Sequence, residues 1–198
     1  MEAVRLADGM GIEVTCDINY RKNLWRYEGA NAQDSLHKLM EYSSFIFGDQ
    51  NEWEVASGLK HIPFKAMDAG YEIDRNAYEA YFRELKKQFP RCRRMLIALR
   101  NQITSAHHTL TGVLYADDKL YTTRIYDIQP IIDPMGVGDA FVAAFIHARQ
   151  RWADDDQRCL DFALAASAMK NTVPGDQNLV TEQEIIAMMG NTTGRIER

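Results

Sequence analysis

Several features that would settle the class of this chain at once are scarce or missing. Cysteine is rare: three occur in 198 residues, at Cys16, Cys92 and Cys159, with no CxxC pair. That spacing argues against a disulfide framework or a zinc ribbon and reads as buried, reduced thiols of a cytoplasmic protein. Long apolar runs are absent too, none approaching the ~20 residues that span a bilayer. The opening MEAVRLADGMGIEV has no basic stretch ahead of an apolar one, as a signal peptide would. Asn191-Thr192-Thr193 fits a glycosylation acceptor by pattern, which means nothing without secretion. Positive charge is outnumbered, 23 Lys+Arg against 28 Asp+Glu, for a formal charge of -5. No nucleic-acid or anionic-membrane partner is therefore expected.

What remains is an ordinary globular composition, 46% apolar and 26% charged, enough to bury a core without disulfides or metals. No internal repeat, low-complexity segment or linker interrupts it, so residues 1–198 read as a single α/β domain. Helical and strand patterns alternate, the mark of parallel strands joined by helices. Residues 2–8 read as the end of a helix stopped by Gly9 and Gly11. Ile12, Val14, Cys16 and Ile18 read as a strand, with the polar loop Asn19-Tyr20-Arg21-Lys22 after it. Asn31 is placed to cap a helix carrying Leu36, Leu39 and Met40. Phe45-Ile46-Phe47 reads as a buried strand, followed by a short helix over Trp53–Ser57 closed by Gly58.

Asp74 suits the N-cap of a longer helix, whose Tyr78, Tyr81, Phe82, Leu85 and Phe89 share one face. Met95–Leu99 reads as a buried strand, and 111–116 with 120–125 as a hairpin about Asp117-Asp118-Lys119. Val137, Ala140, Phe141, Ala144, Phe145 and Ala148 form a helical apolar face. Residues 157–170 are alanine-rich and helical, and Thr181 with Glu184 makes a capping box for a last helix.

Chemistry concentrates at Asp133-Pro134-Met135-Gly136-Val137-Gly138-Asp139, between an apolar strand and a helix. Two glycines there permit a tight turn and leave the helix N-terminus unobstructed, with free amides and the positive end of the dipole facing an anion. A plain helix entry with Asp139 in its first turn is the alternative. A dinucleotide GxGxxG would need glycine where Phe141 stands. Asp139 puts a carboxylate beside the cradle, which a passive anion site would avoid and phosphoryl transfer needs as a base. The chain has no GxxxxGK[ST], HRD or DFG, so P-loop and protein-kinase routes are excluded.

The segment DPMGVGDAFVAAF closely resembles the DTxGAGDxFxxxF signature of the ribokinase-like (PfkB) carbohydrate kinases. The resemblance implies a three-layer Rossmann-like sandwich with a mainly parallel sheet. It makes Asp139 the base for the sugar hydroxyl, and Gly136, Val137 and Gly138 the anion hole for the transferred phosphoryl group. Cys16–Trp25 resembles the D-x-N-x-R-x-x-L-W stretch of 2-keto-3-deoxygluconate kinases, which implies a sugar-acid substrate with Arg21 gripping its carboxylate and Asn19 beside it. A surface arginine paired with a nearby carboxylate is the alternative reading of Arg21. Asn51-Glu52-Trp53-Glu54 is similar to the family's N-x-x-E motif, so the metal roles for Mg2+ fall on Asn51 and Glu54; a helix-capping Asn with a solvated Glu is the alternative.

Ala165–Asp176 resembles the helix and loop that border adenine in the family, giving Asn171 a nucleotide-binding role alongside Gly136 and Gly138. The cofactors implied are ATP, Mg2+ and a monovalent cation. One departure is plain: Leu99–Ser105 stands where many members have a K-x-G-x-x-G turn. His107-His108 would point to opposite faces of a strand, so no histidine mechanism competes. By resemblance the chain corresponds to the C-terminal part of a family member, without its N-terminal strands, its substrate-binding glycines and its β-lid. An unpaired sheet edge then predicts a homo-oligomer or a partner. Kinases of neutral sugars, and a non-catalytic nucleotide- or partner-binding fragment, remain the alternatives.

Overall fold

The computed structural model describes residues 1–190, so Asn191-Thr192-Thr193 lies outside the described residues. Along the chain run α1 (Glu2–Gly9), β1 (Thr15–Asp17), a 3-10 turn (Lys22–Leu24), α2 (Ala32–Met40), β2 (Phe45–Gly48), α3 (Gln50–Ser57) and α4 (Arg75–Gln88). Next come β3 (Arg94–Thr104), β4 (His107–Ala116), β5 (Lys119–Thr122), β6 (Tyr126–Ile128), α5 (Val137–Arg151), α6 (Asp156–Lys170) and α7 (Glu182–Gly190).

The strands form one open mixed sheet in the order β1-β2-β3-β4-β5, with β6 paired to β4. The β1–β3 part is parallel, with Cys16 opposite Ile46 and Ile46 opposite Met95. The β6 pairing is antiparallel, with His108 opposite Ile128. By contacts the chain divides into two compact units. The first comprises Met1–Pro63, Asp74–Ile97 and Leu114–Leu120, and the second Phe64–Ile73, Ala98–Val113 and the residues from Tyr121 onward.

The first unit is built on the apolar strand Phe45-Ile46-Phe47, buried throughout because parallel strands are covered on both faces. Met95, Leu96 and Ile97 pair beside it, and the face of α4 formed by Tyr78, Tyr81, Phe82 and Leu85 is buried in the same unit. Trp53 is fully buried and satisfies its one polar atom by donating Nε1–H to the Leu96 carbonyl at 3.0 Å. Caps appear where the side chains called for them: Asn31 accepts from Asp34 N and Asp74 from Ala77 N, both at 3.0 Å.

Two expectations need correction in this unit. The strand expected over Ile12–Ile18 shrinks to Thr15–Asp17, because only these residues register against Phe45–Phe47; Ile12 is exposed. The helix expected at Trp53–Ser57 begins earlier, at Gln50. Its cap is Asp49, which accepts from Asn51 N and Glu52 N, while the Glu52 side chain reaches back to Asp49 N at 2.8 Å. Asn51 is therefore a first-turn residue and not the cap.

In the second unit α5 packs on α6. The buried face of α5 is the expected set Val137, Ala140, Phe141, Ala144, Phe145 and Ala148. The alanines of α6 are buried nearly without exception, so the two helices approach closely. Thr181 and Glu184 form their capping box at the start of α7. His107 and His108 diverge as expected on a strand: His107 meets Asp127 at 2.6 Å, and His108 is buried. Where a glycine turn would follow Leu99, β3 simply continues to Thr104. All three cysteines are buried and none is in a disulfide, and no described helix is long and apolar enough to cross a membrane.

Candidate functional site

The glycine segment of the second unit becomes a helix entry with exposed amides. Gly136 caps α5 in the left-handed region, φ 72 and ψ 5, which glycine adopts without the Cβ penalty. A Cβ added there would run into the backbone carbonyl of Asp176, so two constraints meet at this position. The first helical bond runs from Ala140 N to the Gly136 carbonyl at 2.8 Å. The amides of Val137, Gly138 and Asp139 therefore have no carbonyl to bond within the helix, and no side chain caps them. A Cβ at Gly138 would meet nothing within 4 Å. The protein's own packing does not demand glycine at 138, whereas an approaching anion would.

Asp139 stands in the first turn of α5, exposed, with no hydrogen bond or ion pair to any described residue. A carboxylate that no described residue engages, beside amides without a helical partner, can accept a proton from a ligand hydroxyl.

The segment is held in place by Asp133. Its carboxylate accepts from Met135 N at 2.9 Å and from Gly175 N at 2.8 Å. These two amides, with a smaller push from Lys170, hold its pKa below the ordinary 3.8. Asn171 works from beneath: its carbonyl accepts from Ile132 N at 2.8 Å and Asp133 N at 3.2 Å. Its side chain is buried and donates to the Ser167 carbonyl at 3.0 Å, leaving Oδ1 without a partner among the described residues. The structure thus brings Asn171 to the glycine segment as a support for its backbone. Ser167 adds a bond from Oγ to the Val137 carbonyl at 2.9 Å.

The other candidates lie in the first unit. Asn19 follows β1 with φ 43, and its Nδ2 reaches Asp17 at 3.5 Å. Arg21 is 61% exposed and contacts Glu52 Oε1 at 3.4 Å and the Tyr20 carbonyl at 3.1 Å. Glu52 is the more buried partner, 14% exposed. Burial raises its pKa above 4.5, and the neighbouring Asp49 and Asp17 add to this; the Asp49 amide and Arg21 act against it. A Cβ added at Gly48 would crowd Ile18 Cδ1 at 2.9 Å and Trp53 Cδ1 at 3.3 Å, so glycine there serves the packing beside Glu52.

Asn51 is exposed, and Glu54 is engaged by His61 through Nδ1 at 2.5 Å and the backbone N at 3.2 Å. These two contacts lower the Glu54 pKa. Among the described residues no group of three or more His, Cys, Asp or Glu could hold a metal ion.

Sequence reasoning passed over Asp133, Lys170, Asp49 and Glu52. The D-x-x-E spacing of Asp49 and Glu52 was a readable capping box. Lys170 stands in the last turn of a helix, where a cation suits the dipole, so its spacing carries no sign of burial.

Residues 3–183 match the description "pfkB family carbohydrate kinase". The chain belongs to that family. Among solved structures, 2-dehydro-3-deoxygluconokinase of Thermotoga maritima is similar with a TM-score of 0.78 at 25% identity, covering 96% of this chain and 54% of its own. A PfkB family carbohydrate kinase of Listeria grayi gives the same TM-score, identity and coverages. A putative 2-keto-3-deoxygluconate kinase of Enterococcus faecalis has a TM-score of 0.74 at 18% identity, covering 94% and 52%. The fold is ribokinase-like, and the chain spans about half the length of the solved kinases it resembles. No curated protein matches it.

Proposed function

We propose that this chain carries the phosphoryl-transfer portion of an ATP-dependent sugar kinase, with a sugar acid of the 2-keto-3-deoxygluconate type as substrate. The observation that carries the reading is Asp139, exposed and without a partner among the described residues, beside the open amides at the start of α5. In this role Asp139 takes the proton of the sugar's terminal hydroxyl as that oxygen bonds to the γ-phosphorus. The bond from the γ-phosphorus to the bridging oxygen breaks, and ADP leaves with that electron pair. The amides over Gly136–Gly138 donate to the equatorial oxygens, where charge is spread during transfer.

The resemblance implies Mg2+ and a monovalent cation; among the described residues no group of three or more His, Cys, Asp or Glu stands ready for a metal ion. No step is routed through either ion.

Asp139→Asn keeps the size of the side chain and removes its charge and basicity. Turnover should fall by about 10²–10⁴-fold, the worth of a general base, with ATP affinity nearly unchanged by calorimetry. Substantial kinase activity in this variant would overturn the role. If the unaltered chain binds ATP but transfers no phosphate, it is a nucleotide-binding fragment.

A second reading, kinase of a neutral sugar, is favoured by one contact: Arg21 already has a carboxylate partner in Glu52. A coupled assay with 2-keto-3-deoxygluconate and fructose side by side separates the two. Arg21→Ala should impair the sugar acid far more than fructose; equal effects would leave the neutral-sugar reading.

A further inference from the structure

Lys170 closes α6 and is fully buried, 0% exposed. An ammonium group out of water is unfavourable unless its hydrogens are taken, and an apolar side chain of similar volume would usually stabilise such a position better. Its Nζ donates to the Val173 carbonyl at 3.0 Å, on the loop that continues through Gly175 and Asp176. That loop is one wall of the site: the Asp176 carbonyl crowds Gly136, and the Gly175 amide is held by Asp133. The other wall, 132–136, hangs from the Asn171 carbonyl and from the Asp133–Met135 bond. Lys170 also favours the ionised form of Asp133, after the larger effects of the Met135 and Gly175 amides.

We infer that Lys170 is a positioning residue, whose buried ammonium locks loop 172–176 against loop 132–136 and so fixes the amides at the start of α5. The purpose given to those amides rests on the phosphoryl-transfer reading; the locking itself does not. Lys170 touches no reacting atom, so its removal should loosen the cradle while leaving Asp139 in place.

The test uses inorganic tripolyphosphate as the probe, amide hydrogen exchange, and turnover. In Lys170→Met, tripolyphosphate affinity should fall by about tenfold, the usual scale for losing outer-shell support. Exchange should quicken at Met135 and Gly175 and stay unchanged in the middle of α6. Turnover number should drop with the sugar KM unchanged. Lys170→Ala removes three carbons and the nitrogen, so n-propylammonium should restore tripolyphosphate binding and n-propanol should not.

Unchanged affinity and exchange in Lys170→Met would overturn the inference, as would equal rescue by the alcohol. Should neither variant fold, even with propylammonium, the lysine is a folding requirement and the inference fails. If Asp139→Asn stays active while Lys170→Met loosens the loop and loses tripolyphosphate, the phosphoryl-transfer reading falls and the positioning role stands.

Discussion

At the start of α5 the groups that would face a ligand are backbone amides, fixed by the left-handed torsion of Gly136 and by the Asp133 carboxylate. At Arg21 the group is the tip of a long side chain, 61% exposed and 3.4 Å from Glu52. The first arrangement cannot change without moving the main chain; the second changes with a rotamer. A preorganised backbone site costs no reorganisation when charge develops on a ligand. A guanidinium on a flexible stem trades one carboxylate for another at little cost, which suits selection among substrates.

The sharpest way to break this contrast is within the glycine segment itself. Gly136→Ala must hold a Cβ at φ 72 and displace the Asp176 carbonyl. Left-handed strain is worth roughly 1–2 kcal/mol and the collision adds to it, so a loss of about 2–4 kcal/mol is expected. Gly138→Ala enters open space in the first turn of a helix and should be stabilising by up to ~1 kcal/mol. Its methyl, however, stands where an anion would approach, so ATP affinity should fall while stability rises. Denaturant melts and ATP titrations on the pair decide the matter. A silent Gly136→Ala would end the claim that this cradle is preorganised.

The same contrast explains what could be read beforehand. The buried face of α5 and the caps at Asn31, Asp74 and Thr181 follow from local spacing, and they recur unchanged in the fold. The DPMGVGD turn was legible because glycine at 136 and 138 has few other uses. What local spacing could not give was competition between partners. Asn51 is the capping alternative read from the sequence, and a capping box of Asp49 with Glu52 takes that place at the start of α3. Glu54 was available on pattern, yet His61, seven residues on, engages it. Lys170 is buried at the end of the alanine-rich α6, a tertiary outcome with no sequence signal of its own.

A smaller effect comes from two carboxylates whose pKa values move in opposite directions. Asp133 lies below its ordinary 3.8 because folded amides favour its charged form. Its contribution is present above about 3.8 and is lost as pH falls through the folded value. Glu52 lies above 4.5 because burial disfavours its charge. Its contribution is present below 4.5 and is lost as pH rises through the folded value. The stability gap between wild type and Asp133→Asn should therefore be wider near pH ~7 than near pH ~3.5. For Glu52→Gln the order reverses, the variant gaining on wild type as pH rises. Melts at both pH values that moved the two gaps in the same direction would refute the assigned causes.

The smallest expected effect is at Arg21, and its smallness is informative. Among the groups acting on Glu52, Arg21 is the weakest, well behind burial and the Asp49 amide. Exposed pairs of this kind contribute roughly 0–1 kcal/mol. Arg21→Ala should accordingly shift folding stability by less than about 0.5 kcal/mol in a denaturant melt. A guanidinium bound so weakly to its own chain is free to turn to a substrate carboxylate. Because the substitution should leave the fold undisturbed, any selective loss with the sugar acid reports on recognition alone. A loss of stability near the 2–4 kcal/mol expected for Gly136→Ala would instead make Arg21 part of the scaffold, and the contrast between the two regions would disappear.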